Sequence, residues 1–501
     1  MRRAVLDDLP GLYRSESVRT IERAAWARFG LDEDALMARA GLAAWRLILE
    51  RWPQAQRIGI ACGPGNNGGD GYALAELARA SGRSVGVLRL GETIKTATAS
   101  RAAEAYLRAG GVAAVFAPGM ALPEADVWVD ALFGIGLQRA PEGAAAALIE
   151  ALNARSVPLL ALDAPSGVDA DSGHDHGLAI QAEVTLRFIA GKPGLFTGRG
   201  RAACGEVVVH DLDLPPEIFD GVEPAARRAG ADALRRWLPP RARDAHKGHF
   251  GSVLCVGGDH GFGGAIALCA EAAHRAGAGL VAAATRAEHV PVILGRRPEC
   301  MARAVAAPAD LPPLLARSSV VAVGPGLGLN AWGEGLFEIA RTAGLPMVVD
   351  ADALNLLAAS PEHLERAVLT PHPGEAARLL GITVAEIESN RIASAQLLAE
   401  QYQCVVVWKG AGSVIAAPGE TPVLIDAGNP GMASGGMGDA LTGTIAALLA
   451  QEWSCFDAAV CGALLHAAAG DAAAREGGER GMLASDLLAH LRRFCNPQPR
   501  S

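Results

Sequence analysis

Along the chain, short apolar runs rich in β-branched residues alternate with longer alanine-rich stretches whose apolar positions recur at helical spacing. The short runs predict strands at 57–62, 84–90, 112–116, 127–132, 157–163 and 184–189, with helices in most of the gaps. This alternation implies α/β architecture with a mainly parallel sheet. Between 211 and 241 the stretch DLDLPPEIFDGVEPAARRAGADALRRWLPPR breaks the rhythm with prolines and charges, and HKGHFGSVLCVGG then opens a fresh strand and glycine turn. The second half repeats the pattern, with strands predicted at 252–256, 280–284, 320–323, 346–350, 367–370 and 404–408. A chain of 501 residues is too long for one ordinary core, and the expected division is into two domains, 1–225 and 226–501.

Composition narrows the function classes. A formal net charge of −9 without a clustered basic face argues against nucleic acid or an anionic membrane as partner. The nine cysteines are scattered without a CxxC pair, which reads as reduced thiols in a cytoplasmic protein rather than a disulfide framework or zinc site. No segment approaches the roughly 18 uninterrupted apolar residues of a membrane span. ALTGTIAALLAQ, 440–451, fits a buried helix, and MRRAVLDDLPGLYRSES lacks the apolar segment of a signal peptide.

Ligands of open α/β sheets gather at the carboxyl ends of strands. In the first half, GPGNNGGDG follows the first predicted strand, Asp130 ends another, and LDAPSG places Asp163 and Ser166 at the end of a third. Strand, glycine turn and helix together offer backbone N–H groups to an anion. The turn is not GxGxxG, however, and Asn66, Asn67 and Asp70 add side-chain groups suited to a sugar, an amide or an oxygen-coordinated cation. Lys192, in GKPG, is either a group that handles charge or protons or a solvated surface lysine.

The motifs GPGNNGGDG, VDALFGIGLQR, LDAPSGVDADSG and FIAGKPGLFTGRG together resemble the N-terminal epimerase domain of the NAD(P)H-hydrate repair family, over roughly residues 12–220. The resemblance implies a Rossmann-like three-layer domain that interconverts the R and S epimers of NADH or NADPH in which water has added to the nicotinamide ring. It implies hydrate contacts at Asn66, Asn67, Gly68, Gly69 and Asp70, at Gly134, Ile135, Gly136, Leu137, Gln138, Arg139 and Ala140, and at Asp163, with K+ among Asn67, Asp130 and Ser166. The hydroxylated carbon is bonded to the ring nitrogen, so nitrogen can expel the hydroxyl and a positioned acid–base group can assist its departure and return.

In the second half, NPGMASGGMGDALTGTIAALL ends its glycines where a helix begins, so backbone N–H groups and the helix dipole converge on an anion, with Asp439 in the first turn. The loop and aspartate look like the anion hole and catalytic base of ribokinase-like proteins. Together with GGDHGFGGAIALCAEAAHRAGAGLV, VGPGLG, VVDADALN, LTPHPGEAARLLG and VVVWKGAGSVI, they resemble the ADP-dependent dehydratase half of the same repair family, over roughly residues 235–495. The resemblance implies a ribokinase-like domain with the S hydrate near Ala265, Gly328, His372 and Asp439. It places the adenine nucleotide along Lys409, Gly410, Ala411, Gly412 and Ser413 and at Gly438, with ADP as co-substrate and Mg2+ for charge neutralisation. His372 alternatively reads as a half-buried turn residue. Asp350 and Asp352 stand open between substrate crevice, Mg2+ site and simple capping.

The expected enzyme is thus a bifunctional cytoplasmic epimerase and lyase acting on both hydrates with ADP, and a homo-oligomer. The alternative is a ribokinase-like kinase of a small hydroxylated vitamin precursor with a nucleotide-sensing or protein-binding first half. A kinase releases a stable phospho-compound, whereas the lyase regains the absorbance of reduced nicotinamide.

Overall fold

The computed structural model describes residues 8–135 and 139–496. The chain divides into two compact units, residues 11–226 and residues 227–496, and residues 8–10 group with the second.

The first unit holds a seven-stranded sheet. Its strands are β1 (Arg57–Cys62), β2 (Ser84–Arg89), β3 (Ala113–Val115), β4 (Val127–Ala131), β5 (Leu159–Leu162), β6 (Val184–Phe188) and β7 (Glu206–His210). They lie in the order β3-β2-β1-β4-β5-β6-β7, all parallel. Helices cover both faces, so the central strands read as continuous apolar runs: every residue of β4 and β5 is buried. Strand order reverses between β1 and β4, and the register sets Asp130 between Ala61 and Ala161. A carboxylate is thereby delivered to the switch point of the sheet.

Glycines allow the helix after β1, Asn66–Ala80, to lie almost on the sheet. A Cβ on Gly68 would sit 2.0 Å from the Gly63 carbonyl oxygen, and one on Gly71 would sit 2.7 Å from the Ala131 side chain. The crowding of glycines in GPGNNGGDG therefore answers to helix–strand packing as much as to any ligand.

The second unit holds β8 (Ala226–Gly230), β9 (Ser252–Val256), β10 (Leu280–Thr285), β11 (Met301–Ala304), β12 (Val320–Val323), β13 (Met347–Val349), β14 (Ala367–Leu369), β15 (Val405–Trp408), β16 (Val414–Ala416) and β17 (Val423–Asp426). Their order is β8-β17-β16-β15-β14-β13-β12-β9-β10-β11, parallel except where β16 pairs with its neighbours. Order reverses here between β12 and β9. The helices Met437–Ala450 and Gly263–Arg275 pack so closely that a Cβ on Gly443 would meet the Cys269 carbonyl oxygen at 2.0 Å.

The sequence pattern finds the central strands and misses β7, β8, β11, β16 and β17. β7 (EVVVH) and β11 (MARA) are edge strands with exposed positions, and β8 lies inside the proline- and charge-rich break. All nine cysteines are free and most are buried. Among the described residues, no helix is long and apolar enough to cross a membrane.

Candidate active sites

At the switch point of the first unit, Asp130 is fully buried and accepts hydrogen bonds from the Ser166 backbone N–H (2.8 Å), the Ser166 hydroxyl (2.7 Å) and the Leu132 N–H (3.1 Å). Burial pushes its carboxyl up to about 6 even against those bonds. The Ser166 hydroxyl oxygen in turn accepts from the Phe133 N–H at 2.9 Å. Nearby Asn67 is 8% exposed, and its side-chain Oδ1 and Nδ2 are both buried without a protein partner. An unpaired buried amide is costly. The sequence alone gave no means of knowing that this asparagine points inward.

Asp163 follows β5 in the left-handed region, φ 68°. Its Oδ2 accepts from the Ile135 N–H at 3.1 Å, and its Oδ1 is ion-paired with the Arg187 guanidinium. The glycine before Ile135 makes room: a Cβ on Gly134 would sit 2.7 Å from Asp163 Oδ2 and 3.5 Å from Asn67 Cβ. Gly134, Ile135, Asn67 and Asp163 thus meet at one place. Asn66 and Arg139 are exposed, Asp70 and Ala140 half-buried, and Gly68 and Gly69 buried under the helix start; Gly136, Leu137 and Gln138 lie outside the described residues.

Arg187 is the residue that motif reading overlooks. It is 2% exposed, its Nε and Nη2 have no partner, and burial lowers its affinity for the proton to about 9, opposed by Glu22 and Asp70. A charged arginine inside the β-prone run VTLRF is the signal that marks it. Lys192 is not a surface lysine: it is fully buried, donates to the Ser15 hydroxyl at 2.7 Å and lies 3.6 Å from Asp171. Burial and the like charge of Arg187 bring it down to about 7. Burial and Glu22 push Asp70 well above the usual carboxylate range.

In the second unit, the first turn of the helix Gly263–Arg275, after β9, and the loop after β12 carry Ala265 and Gly328 to the point where strand order reverses. Gly328, at φ 77°, donates its N–H to Asp352 Oδ2 at 2.8 Å, and a Cβ there would meet Asp259 Oδ2 at 2.8 Å. Asp352, in the first turn of the helix Ala351–Ala359, therefore ties that helix start to the loop of Gly328 rather than capping its own helix. Asp350 does not cap either: it is 1% exposed and binds Lys409 Nζ (2.8 Å) through Oδ1 and the Thr442 hydroxyl (2.8 Å) through Oδ2.

Gly436, at φ 88°, turns the chain into the helix Met437–Ala450, and no side chain caps that helix. Asp439 sits half-buried in its first turn, where burial and the neighbouring Asp350 raise it to about 6 against the pull of Lys409. Met437 is buried, so its side chain faces the core and leaves the loop backbone open. His372 caps the helix Pro373–Leu380, its Nδ1 accepting from the Gly374 N–H at 3.0 Å, while its side chain stays 55% exposed. Glu375 completes that capping box and also lies 3.8 Å from Lys409 Nζ; burial raises it to about 7. The spacing of Glu375 three residues after His372 reads in sequence as a cap only. Lys409 directly follows β15, and Gly410 (φ 146°) and Gly412 (φ 62°) form the turn to Ser413. The structure brings Lys409, Gly438, Asp439, Asp350 and Glu375 together.

A family model described as YjeF-related protein N-terminus matches residues 33–194, and one described as NAD(P)H-hydrate dehydratase matches residues 253–493. The bifunctional NAD(P)H-hydrate repair enzyme of Coxiella burnetii is 47% identical over 486 residues, 97% of this chain and 99% of that protein. That of Escherichia coli K12 is 45% identical over 489 residues, 97% and 94% of the two chains. Among solved structures, a ribokinase-like superfamily protein from Enterococcus faecalis is 28% identical, covers 54% of this chain and 96% of its own, and superposes with a TM-score of 0.51. The fold is Rossmann-like in the first unit and ribokinase-like in the second. With likeness running through both units at this level of identity, the chain belongs to the family of bifunctional NAD(P)H-hydrate repair enzymes.

Proposed function

We propose that the chain restores hydrated NADH and NADPH in two steps: residues 1–225 epimerise the R and S hydrates, and residues 226–501 dehydrate the S hydrate with ADP, releasing AMP and phosphate. The observation that carries this reading is that likeness to the repair enzymes over 97% of the chain coincides with two separate strand-end clusters of buried polar groups.

In the first site, Asp163, oriented by Ile135 and Arg187, stabilises the positive charge that develops when the ring nitrogen expels the hydroxyl. Asp70, one helical turn after Asn67 and raised well above the usual carboxylate range by burial, is suited to supply a proton to the departing oxygen; the same groups accept it back after attack on the other face. The donor set fits K+: Asn67 Oδ1 lacks a partner, and it joins a buried carboxylate and a hydroxyl oxygen, ligands for a hard cation and not for zinc. When bound, the ion supplies fixed positive charge for the hydrate-binding turn.

In the second site, Asp439 accepts the proton of the substrate hydroxyl as its oxygen attacks the β-phosphorus of ADP and the bond to AMP breaks. The backbone of Gly435–Gly438 holds the phosphoryl oxygens. The phosphate ester then leaves from the carbon beside nitrogen, and loss of a proton from the adjacent carbon restores the ring double bond. Mg2+ brought with the nucleotide phosphates would supply charge neutralisation beside the Asp439 carboxylate, whereas Asp350 already binds Lys409 and Thr442 through its two oxygens. Ala265, Gly328 and His372 line the hydrate side, and Lys409 to Ser413 the nucleotide side.

The reading includes action in the cytoplasm on small molecules and, from the family resemblance, a homo-oligomer. The vitamin-precursor kinase is the weaker reading, since it leaves Asn67, Asp130, Asp163 and Ser166 without a task. Purified protein mixed with both hydrate epimers and either ADP or ATP should recover NADH absorbance, with ADP preferred; no recovery with either nucleotide refutes the reading.

A further inference from the structure

We propose that the Lys409 ammonium, tethered by Asp350, is the cation that meets the transferring phosphoryl group in the second unit. The proposal rests on the dehydratase reading above and goes beyond it, because that reading places Lys409 only in a nucleotide-binding turn.

Lys409 begins the turn, but its side chain leaves it. The ammonium reaches Asp350 at 2.8 Å and lies 3.8 Å from Glu375. A Cβ on Gly438 would stand 3.2 Å from Nζ and 3.4 Å from Asp350 Oδ2, so the ammonium lies against the anion-binding loop, beside the helix turn that carries Asp439. The exposures separate tether from working group. The Asp350 and Glu375 side chains are 2% and 7% exposed, whereas Lys409 is 21% exposed. Asp350 is further fixed by the Thr442 hydroxyl at 2.8 Å. A lysine recruited only to neutralise two buried acids would be covered with them; this side chain stays part-exposed.

An ammonium has three donors. Asp350 takes one and Glu375 lies in the direction of another, which leaves a donor for a phosphoryl oxygen. Charge in phosphoryl transfer spreads over the non-bridging oxygens, where a pre-positioned cation acts with little reorganisation. Lys409 gives up no proton in this role: the hydroxyl proton goes to Asp439 and the electron pair of the broken P–O bond leaves with AMP. The absence of a side chain at Gly438 keeps the gap between loop backbone and ammonium open.

The test compares wild type, Lys409→Met, Lys409→Arg and Lys409→Met/Asp350→Asn by S-hydrate dehydration and by calorimetric ADP binding. Lys409→Met should lose about 100-fold or more in kcat, a loss larger than any accompanying loss of ADP affinity, because the ground-state diphosphate makes only part of the contact. Lys409→Arg, which keeps the charge, should recover part of the rate. The double variant removes the uncompensated acid and should bind ADP yet stay as slow as Lys409→Met. A double variant that dehydrates near the wild-type rate overturns the proposal, because Lys409 would then serve only to neutralise Asp350. Failure of the wild type itself to dehydrate the S hydrate with ADP would instead sink the dehydratase reading.

Discussion

Replacing Gly134 by alanine adds one methyl group beside the Asp163 carboxylate in the first site. Gly134 is not among the positive-φ glycines, so its backbone suits alanine and the effect is one of contact alone. The new Cβ would stand 2.7 Å from Asp163 Oδ2. Restoring an ordinary separation of about 3.4 Å moves the carboxylate by about 0.7 Å, away from the Ile135 N–H that it now holds at 3.1 Å. A hydrogen bond to a charged group contributes about 1.5–3 kcal/mol, and a misplacement of about 1 Å in a reacting geometry costs about 100-fold. These describe one displacement and do not add. The expected loss in kcat/KM for epimerisation is therefore about 30–100-fold. The assay follows a pure R hydrate by chromatography in KCl buffer, with dehydration of pure S hydrate by the second unit as an internal control that should not change. A Gly134→Ala protein that epimerises within about twofold of wild type would show that Asp163 need not hold this geometry, and the assignment of Asp163 to the damaged ring would fall.

Asp130→Ala should make epimerisation slow and indifferent to potassium; equal wild-type rates in KCl and in tetramethylammonium chloride would remove the cation from the first site. Asp439→Asn should slow dehydration about 100-fold or more while ADP affinity and epimerisation persist. Because Asp439 is raised to about 6 and must be ionised to accept a proton, wild-type dehydration should fall as pH drops through about 6; a rate flat across this range points to another base. Lys192, brought down to about 7 in the folded chain, is neutral there above that pH, whereas the unfolded chain keeps the proton until about 10.4. The unfolded state binds more protons between these values, so this group's contribution to stability rises with pH across the window and is lowest below about 7. Lys192→Met should accordingly gain more in Tm at pH 6 than at pH 10, and an equal change at both would contradict a buried charged lysine.

The central strands and the chemistry at their ends were legible in the amino-acid order because both are local: buried parallel strands need continuous apolar runs, and glycine turns with Asp and Asn must follow them to serve a ligand. The edge strand Met301–Ala304 carries no such pattern, since three of its four positions face solvent. What tertiary structure alone decided is which side chains share a site. Asp163 and Arg187 are joined because β5 and β6 are neighbours in the sheet, and Asp350 and Lys409 because β13 and β15 flank β14; no spacing in the chain announces either pair. Burial was equally hidden. A lone lysine in GKPG reads equally well as solvated until the fold encloses it, and burial then turns Lys192, Asp70 and Asp130 into groups poised to exchange protons or hold a cation.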